Sequence, residues 1–339
     1  MSGSSNIGMH VDHCVTENPE KLAEFEAKMA RGDMIEADDW MPQAYRTGML
    51  RMAEHHANSE IVGALPEGEW ITRAPSLKRK LALTAKVQDE VGHGQMLYRV
   101  SQDLGKSRDD MLRDLILGKT KYHNCFNYPA PTWGDIAMIQ WLIDGAAIMN
   151  QKTLADGAYG PYVRTMKRIN MEEAFHFRSG EDMVLTLMSG TPKQKQMTQE
   201  AFDRWWEPSL MFFGPPDKPN AEQLPPMRWR MKTVKNDELR RRFVNRFAPA
   251  AIDLGLKIHV TQKDEQGMVV SKRLDEKCVP DGDGNWGYTE PDWDEFFRVI
   301  RGNGPCNKKR LALRRMSYEQ GQWVRRAIVN GKVATPPAA

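Results

Sequence analysis

Glu90 and His93 stand three residues apart in Gln88-Asp89-Glu90-Val91-Gly92-His93, and Glu173-Ala174-Phe175-His176 repeats the pattern. Residues three apart share one helical face, so each pair can present a carboxylate and an imidazole to one metal ion. Two such helices facing each other hold two metals if two further helices each supply a carboxylate. Spacing nominates those carboxylates: Glu60 lies 30 residues before Glu90, and Asp144 lies 29 before Glu173. An offset of 84 carries Glu60 onto Asp144, and one of 83 carries Glu90 and His93 onto Glu173 and His176. A pseudo-symmetric pair of helical hairpins gives such a repeat. Four carboxylates balance two ferrous ions, and carboxylate with neutral imidazole suits non-haem iron with positions left open for dioxygen. A monooxygenase also needs two electrons. The chain has no convincing flavin, nicotinamide or iron–sulfur motif, so a separate reductase would supply them.

Long helices must position these groups. The first is expected over Gln43–Leu65, with Pro66 stopping it. Its stripe Tyr45, Met49, Met52, His56 runs on to Glu60, which faces inward with it or is solvated near a helix end. His55 and His56 are rival ligands without counterparts in the repeat, and are read as packing or substrate-side residues. The second helix is expected over Ser76–Leu104, with Ser76 as N-cap and Gly105 as the stop. Lys86 lies on the face of Glu90, as an ordinary i,i+4 ion pair or as a cation that neutralises the carboxylate cage without metal. Gly92 and Gly94 flank His93 and suggest close helix approach. A third, largely apolar helix from Trp133 to Gly157 carries Asp144, whose charge needs a metal or a salt bridge. The fourth, Tyr162–Met188, carries Glu173 and His176, with Glu172 as a rival ligand. Short helices are expected at Arg108–Leu117, from Thr191-Pro192 to an end at Pro208, at Asn236–Phe247, at Pro291–Arg301 and at Lys308–Asn330. The arginines Arg240, Arg241 and Arg242 read as a solvated or subunit-facing edge.

The basic, aromatic and amide-bearing run Lys119–Pro129 is a phosphate- or nucleotide-binding loop or a solvated one. Residues 257–290 suggest a small β-rich excursion. Gly282-Asp283-Gly284-Asn285-Trp286-Gly287 matches a dinucleotide fingerprint by letter but lacks the strand and helix that give it meaning, and from Asp281 it is only half a calcium loop, so a turn is expected.

The chain of 339 residues, 27% of them charged, suits a globular protein with a large core. A net charge of +3 does not suggest nucleic acid. The polar start argues against a secretory signal, and the longest apolar stretch, Ile136 to Met149, is too short and polar to span a bilayer. Cys14, Cys125, Cys278 and Cys306 form no C-x-x-C pair, as in a cytoplasmic protein with reduced thiols. His10 and His13 could meet a metal but read as incidental near a terminus, and the Thr335-Pro336-Pro337 tail as mobile.

Longer segments go further. Ser59-Glu60-Ile61-Val62-Gly63, Leu65-Pro66-Glu67-Gly68, Trp70-Ile71-Thr72-Arg73-Ala74-Pro75, Ala85-Lys86-Val87-Gln88-Asp89-Glu90, Trp141-Leu142-Ile143-Asp144-Gly145-Ala146-Ala147 and Phe212-Phe213-Gly214-Pro215 resemble the catalytic A subunits of the ring 1,2-phenylacetyl-CoA epoxidases, a bacterial multicomponent di-iron oxygenase family. The resemblance covers roughly residues 38–330. It implies an all-α, ferritin-like four-helix bundle with extra helices and a small C-terminal β-containing excursion. The corresponding division is a polar segment 1–37, a di-iron helical domain 38–256 and a C-terminal extension 257–339 packed on it. It implies an oxygenase that epoxidises the aromatic ring of phenylacetyl-CoA at two Fe ions held by Glu60, Glu90, His93, Asp144, Glu173 and His176. Coenzyme A contacts are implied at Arg51, His55, Lys121, Tyr122, His123, Asn124, Lys232 and Asn307, where cationic and amide groups suit phosphates. The implied partners are a small bridging subunit and a structural ferritin-like subunit, together with a reductase carrying NADPH, FAD and iron–sulfur chemistry. The alternatives are a non-catalytic ferritin-like scaffold, which would lack a full ligand set, and an iron-handling protein, which would need no acyl-CoA groove.

Overall fold

The computed structural model describes residues 18–264 and 268–330; His10, His13, Cys14 and the 335–337 tail lie outside them. The chain runs α1 (Pro19–Arg31), α2 (Gln43–Gly68), α3 (Leu77–Asp103), α4 (Arg108–Leu117), a 3-10 turn (Asn124–Asn127), α5 (Trp133–Met138), a π turn (Ile139–Ile143), α6 (Asp144–Leu154), α7 (Gly160–Met188), α8 (Pro192–Met211), α9 (Pro225–Arg228), α10 (Asn236–Asp253), β1 (His259–Lys263), β2 (Val269–Leu274), α11 (Trp293–Arg298), a second π turn (Val299–Asn303) and α12 (Asn307–Asn330). The fold is all-α and ferritin-like. α2 packs on α3, α3 on α7, and the α5–α6 helix on α7.

Local chemistry sets most of the ends. The Ser76 side chain accepts from the Arg79 amide, and Thr191 forms a capping box with Gln194 ahead of Pro192. Thr132 and Asp135 do the same for α5. Proline is where the expected boundaries fail. Pro66 does not stop α2, which continues to Gly68, and Pro208 lies inside α8, which continues to Met211. A proline removes one backbone donor, but both are buried, and packing on both sides holds the helix through the gap. α10 likewise passes Pro249 to Asp253. The third long helix is not uniform: it widens into the π turn directly before Asp144 and ends at Leu154, short of Gly157.

Within the polar segment expected over residues 1–37, α1 is amphipathic, and its Phe25 and Met29 are buried. Phe25 meets the edges of Tyr45 and Trp229 at ring centroid distances of 5.1 and 5.8 Å. The excursion after α10 is one antiparallel pair, with His259 opposite Leu274 and Lys263 opposite Val269. Residues 281–285 form a turn: Asp281 accepts from the amides of Asp283 and Asn285 at 2.9 and 2.8 Å, so its side chain serves its own backbone. Arg240 corrects the solvated-edge reading. It is fully buried on the stripe of Phe243, Val244 and Phe247, donating to the carbonyls of Leu210 and Gly214 and pairing with Asp237. Among the described residues no helix is long and apolar enough to cross a membrane. Cys125, Cys278 and Cys306 are buried and free.

Candidate metal centre

Four helices bring the six expected ligands together: Glu60 from α2, Glu90 and His93 from α3, Asp144 from α6, and Glu173 and His176 from α7. All six are buried. They form two groups, Glu60, Glu90, His93 and Glu173, and then Glu90, Asp144, Glu173 and His176, with the donor atoms of each group within 4.8 Å of one another. Glu90 and Glu173 belong to both, as carboxylates bridging two ions would.

Close backbone contacts make this approach possible. At Gly94 a Cβ would stand 2.6 Å from Ile61 Cγ1 and 3.1 Å from the Ala57 carbonyl, so glycine lets α3 lie against α2. Gly92 faces open space and has no such role. A Cβ at Gly180 would collide with the backbone of Gln140 and Trp141, so α7 closes on the π turn only through glycine.

Each histidine is oriented from the opposite helix. His93 Nε2 donates to Glu172 at 2.9 Å and His176 Nε2 to Asp89 at 3.2 Å. Glu172 therefore backs His93 from behind and is not among the grouped ligands. Both Nδ1 atoms turn inward. That of His93 lies 3.4 to 3.7 Å from Glu173, Glu90 and Glu60 and has no hydrogen-bond partner, although buried. Such an inward, unpartnered imidazole nitrogen among carboxylates fits a divalent metal, with its outer nitrogen fixed by a carboxylate.

The cluster's electrostatics also call for cations. Burial opposes protonation of His93, but hydrogen bonds to Glu173, Glu60 and Glu90 override it and raise its pKa far above the usual imidazole range. For His176 burial is likewise overcome, chiefly by Glu173, and its pKa rises to about 9. Burial works to raise Glu60, yet His56 and His93 hold it well below the carboxylate range. Lys86 is buried and reaches Glu67 at 2.7 Å, Glu90 at 2.5 Å and Asp144 at 3.2 Å. Desolvation disfavours its charge, but Asp144, Glu67 and Glu90 keep it an ammonium. It is thus both the i,i+4 partner of Glu90 and a cation inside the cage.

Glu67 lies just beyond Pro66, where local rules end the helix, and sequence reasoning missed it for that reason. A signal exists: Glu67 is seven residues after Glu60, two turns on along the same face. It is buried and accepts from Gln140 at 3.0 Å. His56 is not a rival ligand. Its Nε2 lies 2.8 Å from Glu60 Oε1, and its Nδ1 2.8 Å from the Tyr162 hydroxyl.

A cavity of about 270 Å³ opens onto Glu60, Glu90, Asp144 and Glu173, with apolar walls that include Ile143, Phe126, Phe212 and Phe213. Of the residues expected to meet a coenzyme A ester, His55, His123, Asn124 and Lys232 line it; Arg51, Lys121, Tyr122 and Asn307 do not. Arg51 and Lys121 are exposed. Tyr122 is buried and donates to Asn127 at 2.6 Å, while the Asn307 side chain accepts from the Gly304 amide. Burial drops His123 to about 4, and His55 to about 3 with help from the neighbouring His123 charge, so both are neutral near pH 7. The His123 ring stacks on Phe212 with centroids 4.2 Å apart and donates to its carbonyl at 2.8 Å. Burial also lowers Lys232. The loop carrying His123 is tied to α2 next to Glu60: Asn58 donates to Thr120 at 3.1 Å, and the His123 amide donates to Ser59 at 2.9 Å.

The family model for the phenylacetic acid catabolic protein matches residues 19–323. In Escherichia coli (strain K12), the A subunit of 1,2-phenylacetyl-CoA epoxidase is 44% identical over 312 residues, covering 90% of this chain and 94% of that protein.

Proposed function

The chain belongs to the phenylacetic acid catabolic protein family, and we propose that it is the oxygenase subunit that epoxidises the aromatic ring of phenylacetyl-CoA. The observation that carries this is the six-donor cluster opening onto an apolar cavity in a chain so similar to a named epoxidase subunit. Glu60, Glu90 and His93 would hold one Fe ion together with Glu173, and Asp144 and His176 the other, Glu90 and Glu173 serving both. When bound, the irons supply the activation of dioxygen. The chain's own residues do the rest. Ile143, Phe126, Phe212 and Phe213 enclose the phenyl ring and exclude water, and neutral His55 and His123 add polar contacts without a buried charge. Coenzyme A phosphates suit the cations Arg51, Lys121 and Lys232, with amide and hydroxyl help from Tyr122, Asn124 and Asn307.

One oxygen atom enters the ring and the other leaves as water, which consumes two electrons and two protons. NADPH supplies the electrons through a separate reductase with FAD and an iron–sulfur cluster, in a complex that also holds a small bridging subunit and a structural ferritin-like subunit. The complex works in the cytoplasm.

The test is oxygen- and NADPH-dependent conversion of phenylacetyl-CoA by the iron-loaded chain with its reductase and structural partners, followed by mass spectrometry. Gain of one oxygen atom, lost in Glu173→Ala, is expected. Two bound irons without product would favour iron handling, and neither iron nor product a scaffold.

A further inference from the structure

We propose that Tyr162 and His56 are positioning residues for Glu60: the Tyr162 phenol fixes which His56 nitrogen carries the proton, and that N–H holds the Glu60 carboxylate toward its metal. This rests on the metal-centre reading above.

The geometry is a short linear chain. Tyr162, in the first turn of α7, places its hydroxyl 2.8 Å from His56 Nδ1. His56, one turn before Glu60 on α2, places Nε2 2.8 Å from Glu60 Oε1. The other oxygen of Glu60 faces the cluster, 3.7 Å from His93 Nδ1. Protonation follows from what each group has to offer. An ionised carboxylate can only accept, so His56 Nε2 must donate to it. In a neutral imidazole Nδ1 is then a bare lone pair, which needs a donor, and the Tyr162 hydroxyl is one. The Gln151 amide nitrogen lies 3.3 Å from the same Nε2. It is the weaker competitor, because an Nε2 that accepted from it would turn a lone pair on a carboxylate 2.8 Å away.

The arrangement differs from the support of the other ligands. His93 and His176 are braced by Glu172 and Asp89 on α7 and α3, and Asp144 and Glu90 meet the Lys86 ammonium. Glu60 has a neutral donor, and that donor is set by a phenol on a different helix. Tyr162 is 2% exposed and lines the cavity with His56, so its hydroxyl has little water to turn to.

The full-length chain, stripped of metal, is titrated with Fe(II), and near-infrared circular dichroism of the ferrous protein is recorded. His56→Leu is expected to weaken binding to the Glu60 group by roughly 10- to 100-fold and to change the spectrum. His56→Gln, whose amide donates to Glu60 without help from Tyr162, restores most of the loss. Tyr162→Phe, which removes a single oxygen atom, weakens binding in the wild-type background and has no further effect in the His56→Gln background. An equal effect of Tyr162→Phe in both backgrounds overturns the proposal, as does unchanged affinity and spectrum in either His56→Leu or, should that variant not fold, Tyr162→Phe. Wild-type protein that takes up no Fe(II) overturns the metal-centre reading and this inference together, whereas wild type that binds two ions beside indifferent variants overturns the inference alone.

Discussion

The two halves of the metal centre use the same ligand order on different supports. In one, Glu60 sits on an uninterrupted α2 and is met by the neutral donor His56. In the other, the shorter Asp144 follows a π turn and is met by the Lys86 ammonium. The offset of 84 extends beyond the ligands, carrying His56 onto Gln140 and Glu67 onto Gln151. Both equivalent pairs touch: Gln140 donates to Glu67 at 3.0 Å, and Gln151 lies 3.3 Å from His56. What the halves do not share is charge. Glu67 with Lys86 forms a buried ion pair, whereas Gln151 with His56 is neutral. A repeated backbone plan therefore fixes where ligands stand, and the side chains around them decide how tightly each is held and in what protonation state.

The comparison breaks most completely at the ligands common to both halves. Glu173→Ala is expected to remove both irons and all turnover, while Glu60→Ala and Asp144→Ala each lower bound iron by about one ion per chain. Iron assays on purified variants check this, and equal losses in all three would mean that the halves do not load separately.

Lys86→Met tests the charged half. It leaves Glu67 buried without its cation, so the metal-free protein should lose about 3–5 kcal/mol in urea unfolding. Iron-loaded protein should lose much less, because the metals then balance Glu90 and Asp144. Equal losses with and without iron would detach Lys86 from the cage.

Histidines sharpen the contrast through pH. His55 and His123, at about 3 and 4 in the fold, are displaced below the ordinary 6.5. The unfolded chain takes up their protons first, so their stabilisation is complete above about pH 6.5 and is lost as pH falls toward 4. His176, raised to about 9, has the opposite sign: its stabilisation is complete below about 6.5 and is lost as pH rises through 9. Metal-free protein is expected to be most stable near about pH 6.5, and His123→Phe should flatten only the acid limb. Denaturant curves from about pH 5 to 9 would show it; an unchanged acid limb would mean that His123 does not titrate with unfolding.

The smallest effect separates two glycines on one helix. Gly92→Ala should stabilise by up to about 1 kcal/mol, whereas Gly94→Ala should destabilise by about 1–3 kcal/mol because it presses on Ile61 and the Ala57 carbonyl. Thermal melts of both variants decide it.

These contrasts also mark what is legible in the sequence. The spacing of Glu90 with His93 and of Glu173 with His176, plus the matched Glu60 and Asp144, locates the cluster, because helical periodicity turns residue separation directly into direction. Long-range partners are not legible. Nothing in the letters says that Asp89 reaches His176 or Tyr162 reaches His56, since both contacts depend on how helices cross. Glu67 and Arg240 mislead for a related reason: local rules end a helix at proline and expose arginine, and tertiary burial overrides both. Sequence raises close contact at Gly94 and Gly92 equally, and only the helix crossing distinguishes the one that makes it.

The π turn before Asp144 has a bearing on inheritance. An α-helix advances about 100° per residue, and a widened turn takes up an extra residue with no added rise. The segment before it packs on α8 and the segment after it on α7 and α10. Loss of a single codon within 139–143 would restore regular winding and swing Asp144 about 100° away from the cluster, with no ligand altered. In the evolution of this fold a frame-preserving deletion there is thus as severe as the loss of a ligand, while a substitution that keeps the residue count is the milder event.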